Sequence, residues 1–182
     1  MKRINRVLAC LAITAGFTAP PVFPSLAQES QPKSVNTAPL AIGGFKYSSL
    51  PQGVHMFDCQ DAKCGAGSKV SYVVLDPRTK MTFEDYKTQR QQLAAALRAR
   101  ASPGTEMIFQ EPVDKSDKLF RMFQSRREIK PSAGPSMHTV STTLIGPKLG
   151  FDIISSAGDL QMADANIDLF ILAAMLLAVG TN

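Results

Sequence analysis

The chain has 182 residues, of which 45% are hydrophobic and 19% charged, and a formal net charge of +5. Three of its 20 Lys and Arg residues (Lys2, Arg3 and Arg6) lie at the extreme N-terminus, so beyond residue 27 only 17 bases face 15 acids. That near balance argues against nucleic acid or an anionic membrane as the partner, and the 155 residues that follow residue 27 suffice for one domain with its own core.

The first expected element is a cleavable secretory signal over residues 1–27. A cationic start is followed by an apolar stretch from Val7 to Phe17, then Pro20, Pro21 and Pro24 break any helix. Ser25 and Ala27 are the small residues a signal peptidase reads, which places cleavage between Ala27 and Gln28. The apolar run is shorter than the roughly 20 residues of a bilayer span, so no transmembrane anchor is expected after cleavage. Val7-Leu8-Ala9-Cys10 loosely resembles a lipobox, but Cys10 precedes any apolar core and reads as an ordinary residue of the signal. Residues 28–44, rich in Ser, Pro, Gln, Asn and Thr, read as a flexible lead-in, and residues 45–182 as a single domain.

Within that domain, Phe45 to Tyr47 opens the fold, and Pro51 with Gly53 marks a turn. Residues 54–58 and 69–75 read as two strands of a hairpin. Its connection carries Cys59 and Cys64, an even pair in an exported chain and hence a disulfide. Thr82 and Asp85 form a capping box for a helix. Phe83, Tyr86, Leu93, Ala94 and Leu97 line one side of that helix, and Ser102-Pro103-Gly104 ends it. Residues 105–110 alternate like a strand. Residues 118–130, 137–145 and 149–155 then form three strands joined by short turns, a meander. Ser156 and Asp159 suggest a second capping box. The helix after it includes Ile167, Phe170, Ile171, Ala174 and Ala178, and Gly180 suits its C-terminal cap. Its run over residues 169–179 is apolar all round and, at eleven residues, too short to span a bilayer, so it reads as a helix buried against the sheet. The expected fold class is α+β: an antiparallel sheet, built from the N-terminal hairpin and the three-stranded meander, packed between two helices.

The order of hairpin, helix, meander and long apolar helix resembles the α/β/α sandwich of the PsbP-like proteins, a group that includes small exported accessory proteins. The resemblance rests on Val70-Ser71-Tyr72-Val73-Val74 ahead of the helix opening at Thr82, on the meander and on the final helix. It covers about residues 54–179. It implies a protein that binds or assists another protein and is not an enzyme.

The residues themselves offer little chemistry. His55 and His138 are the only histidines and sit in no nucleophile or metal signature, so no catalytic residue and no metal ligand set is assigned. Gly65-Ala66-Gly67-Ser68 lacks the spacing of a phosphate loop and reads as a turn. No c-type haem motif is present, and no cofactor is expected. Glu84 and Asp85 are helix-start acids. Arg121, Arg126, Arg127 and Lys130, the strongest basic group, read as a solvated strand face. The expected function is that of a small periplasmic or secreted non-catalytic protein binding another envelope protein. The rival readings are a periplasmic thiol-exchange enzyme using Cys59 and Cys64, and a secreted factor acting on a host or partner cell.

Overall fold

A computed structural model of the protein describes residues 38–180. The signal, Cys10, the cleavage point between Ala27 and Gln28, and most of the lead-in lie outside the described residues. The described chain runs β1 (Phe45–Leu50), β2 (Val54–Cys59), β3 (Lys69–Leu75), α1 (Phe83–Arg100), β4 (Glu106–Phe109), β5 (Val113–Asp114), β6 (Arg121–Lys130), β7 (Met137–Ile145), β8 (Gly150–Ala157) and α2 (Leu160–Val179). All eight strands join one antiparallel sheet in the order β1-β2-β3-β8-β7-β6-β4, with β5 beside β6. The α+β class, the β2–β3 hairpin and the β6–β7–β8 meander are those read from the sequence. Joining β3 to β8 fuses hairpin and meander into one sheet.

Register sorts the side chains into two faces, because residues paired across strands point the same way. One row runs Phe57, Val70, Ser155, Val140, Arg126, and the next row along the strands belongs to the other face: Met56, Ser71, Ile154, Ser141, Ser125. The first face is apolar and carries α2, which contacts β7 and β8. Ala163, Ile167, Phe170, Ala174 and Ala178 are fully buried there, beside Val70, Val140, Leu144 and Ile153. Alanine every few residues lets the helix approach closely. At Gly146, in the β7–β8 turn, an added Cβ would lie 2.7 Å from that of Ala178, so the turn requires glycine.

The end caps follow local chemistry. Thr82 accepts the Asp85 N–H while Asp85 accepts the Thr82 N–H, the expected capping box. For α2 the cap is Asp159, which accepts the Met162 N–H at 2.7 Å. Ser156 is not part of it, because β8 continues to Ala157 and holds Ser156 in the ladder opposite Lys69 and Thr139. Gly180 closes the helix in the left-handed region at φ 76°.

The two helices are unequal covers. Helix α2 buries seven residues and α1 only Tyr86 and Ala94. The contacts of α1 fall on the second face, toward the β6 end. The Tyr86 hydroxyl donates to the Ser141 carbonyl at 3.1 Å, and the rings of Phe83 and Tyr86 lie against Phe123. On β3 and β8 the same face, with Ser71, Val73, Asp152 and Ile154, is half-buried. One further boundary moved. Leu40, inside the expected lead-in, is buried in the core, and its N–H donates to the Tyr72 hydroxyl at 2.8 Å. Helix α2 is 20 residues long, so by length and composition alone it could cross a membrane. Its inner face instead lies buried on the sheet.

Candidate functional site

The residues singled out from the sequence do not converge. Cys59 and Cys64 form a disulfide with a Cα–Cα separation of 5.8 Å. Both are buried, and the Cys64 carbonyl accepts a hydrogen bond at 2.9 Å from Asn166 Nδ2 on α2. The bridge therefore pins the β2–β3 connection to the core helix and opens no helix N-terminus, where reactive thiols are activated. His55 is buried among aromatic rings, stacked on Tyr72 at 4.6 Å with Nδ1 3.2 Å from the Tyr47 hydroxyl. Desolvation pushes its pKa below the ordinary value, so it is neutral at pH 7. It does not meet Asp58, which pairs with Lys69. His138 lies across the ladder from Glu128, with Nε2 3.8 Å from its carboxylate. Glu84 and Asp85 are exposed at the α1 start. Among the described residues, no group of three or more His, Cys, Asp or Glu side chains could hold a metal ion.

The basic group on β6 is not the solvated face expected of it. Its members are half-buried and have four different environments. Arg121 donates to the carbonyls of Thr79 and Met81 and ties the approach to α1 onto the sheet. Arg126, on the α2 face, makes two hydrogen bonds to Asp164. Lys130 sits 3.7 Å from both Glu106 and Glu128. Arg127 points to the opposite face, into a cavity of about 210 Å³ between α1 and the β4–β6–β7 end of the sheet.

Strand alternation and helical spacing build this cleft. On the sheet, Arg127 is flanked in register by Phe109 and Thr139, with Ser125 and Ser141 one step along the same face. From α1, Arg90, Ala94 and Arg98 recur every four residues and line the same cavity, with Leu93 beside them. The β4–β5 connection closes one side with Glu111 and Pro112. The Gln110 N–H, bonded to the Arg126 carbonyl at 3.0 Å, holds that connection on β6.

The electrostatics of the cleft are unusual for an interior. Arg90 lies over the Tyr86 ring at 4.7 Å and Arg98 over the Phe109 ring at 4.7 Å. The buried Nε of Arg90 and the buried Nε of Arg127 make no hydrogen bond. Neither guanidinium has an ion-pair partner among the described residues. Burial, and then the like charge of Arg90, push the Arg127 pKa down from its ordinary value. Two neighbouring half-buried cations without a direct ion pair are costly to fold around, and the cost falls when an anion arrives; Glu111 also lines the cleft. Asp152 lies farther along the same face. Desolvation raises its pKa, against the opposing pull of Arg90 and a 2.9 Å hydrogen bond from Thr143.

No protein-family model matches the chain, and neither does any curated protein. The sequence did carry a signal for the cleft. Phe109, Ser125, Arg127, Thr139 and Ser141 are fixed to one face by strand parity once register is known, and Arg90 shares the Tyr86 side of α1. What the sequence could not supply was the register of β6 with β4 and β7 and the face that α1 covers, and so that Arg127 and Arg90 line one cavity.

Proposed function

We propose that the protein is an exported, non-catalytic binding protein whose recognition site is the arginine cleft beside α1. The observation that carries this reading is the pair of half-buried guanidinium groups, Arg90 and Arg127, neither within ion-pair distance of an acid among the described residues. Neutral hydroxyls from Ser125, Thr139 and Ser141 complete a polar floor, with Ser125 3.0 Å from the Tyr86 hydroxyl. Export is supported by the signal read over residues 1–27 and by the Cys59–Cys64 bridge, which fits an oxidising compartment such as the periplasm or the outside of the cell. An accessory role would also accord with the PsbP-like resemblance.

The test is thermal stability across a panel of anions and matched neutral compounds, with Arg127→Leu alongside. A ligand that binds only the folded state raises the melting temperature with concentration. Stabilisation by anions alone, lost in the variant, is the expected result. Equal stabilisation by neutral compounds, or none by any anion, removes the cleft from consideration. Intact mass of the protein from fractionated cells tests export: a chain starting at Gln28, its thiols blocked until reduction, is expected.

A second reading has its own observation. Leu169 and Leu172 on the outer side of α2 are 45% and 62% exposed, and exposed apolar helix faces serve as protein-docking surfaces. Replacing both with Ser should release a bound envelope protein if this face carries the binding, and should leave cleft ligands unaffected.

A further inference from the structure

Resting on the reading of the cleft as a recognition site, we propose that its ligand is a small organic carboxylate with an apolar body, held at the carboxylate by Arg90 and Arg127 and along the body by Leu93, Phe109 and Pro112. The planar guanidinium fork matches a carboxylate with two parallel hydrogen bonds, and both arginines line the cleft. Phosphate groups are usually gripped by backbone N–H groups at helix N-termini or by amide nests. This cleft has neither and has no lysine: α1 contributes residues 90–98, from its middle toward its C-terminal end, where the dipole is negative. Glu111 at the cleft opposes a multiply charged ligand. The apolar wall would be wasted on a fully hydrated inorganic ion, and a cavity of about 210 Å³ suits a single-ring acid.

The experiment is a nuclear magnetic resonance titration of the full exported chain, isotope-labelled, with phenylacetate, phenylacetamide and inorganic phosphate as probes. Saturable shifts with phenylacetate, centred on the amides of Gln110, Ser125 and Ser141, are expected, with much smaller responses to the other two. Arg127→Leu should weaken phenylacetate binding by about tenfold or more, the scale of a charge-assisted hydrogen-bond pair. Arg127→Lys keeps the charge but loses the fork and should fall between. Arg90→Leu, on α1, provides a second variant should Arg127→Leu fail to fold. Leu119→Ser, exposed and outside the cleft, should bind phenylacetate normally. Phosphate binding as tightly as phenylacetate would overturn the carboxylate assignment while leaving an anion site in place. Equal binding of phenylacetamide would overturn both the assignment and the anion site, as would the absence of binding by all three.

Discussion

At the scale of single residues, energetics follow from burial and from partners. Phe170 is fully buried, edge-on to Phe45 and Phe57 at 5.3 and 4.9 Å, so Phe170→Ala should cost roughly 3–5 kcal/mol in chemical denaturation. A near-neutral value would mean that α2 does not dock as described. Asp152 makes a prediction with a definite sign. Its folded pKa is raised, chiefly by desolvation. The folded state therefore holds the proton more tightly than the unfolded chain, and stability falls as pH rises above 3.8 toward the folded value. Asp152→Asn removes that liability and still accepts from Thr143. Melting temperatures should be higher in the variant at pH 7, with the difference shrinking toward pH 4. A constant difference across that range would show that ionisation plays no part. His55 runs the other way. Its folded pKa is lowered, so the stability it contributes is present above 6.5 and is lost as pH falls through the folded value.

At the scale of elements, legibility tracked how local the determining chemistry is. The Thr82–Asp85 box and the Gly180 cap were readable because each is complete within a few residues. The Asp159 cap was only half readable: Ser156 offered a competing cap, and its place in β8 depends on pairing with the neighbouring β7 and with β3, which lies distant in sequence. The cleft was missed for the same reason. Arg127 looked like one of several surface bases until the pairing of β6 with β4 and β7 turned it inward beside Phe109 and Thr139. The Cys59–Cys64 pair was readable from count and spacing, but its docking on α2 through Asn166 was not. The bridge closes a short loop, so Cys59→Ser should cost about 2 kcal/mol and keep the fold. Thermal unfolding with matched spectra checks this. Loss of native spectra would show that the loop's contact with Asn166 depends on the bridge.

At the scale of the whole molecule, the decisive feature is the asymmetry between the sheet's two faces. One face is apolar and sealed by α2, with seven helix residues buried. The other is polar, carrying Thr139, Ser141, Thr143 and Asp152, and α1 covers only part of it with two buried residues. Local opening costs least where few apolar contacts are broken, so α1 should exchange its amide hydrogens at lower free energy than α2 and β7. The cleft lies beneath α1, and a ligand bridging Arg90 on the helix to Arg127 on the sheet would tie the two together. Hydrogen exchange should therefore show α1 as the more dynamic helix in the free protein, with its protection rising when the cleft is filled and that of α2 unchanged. Equal protection of both helices in the free protein would contradict the asymmetry. Protection gained in α2 alone would move the binding surface to the outer leucines.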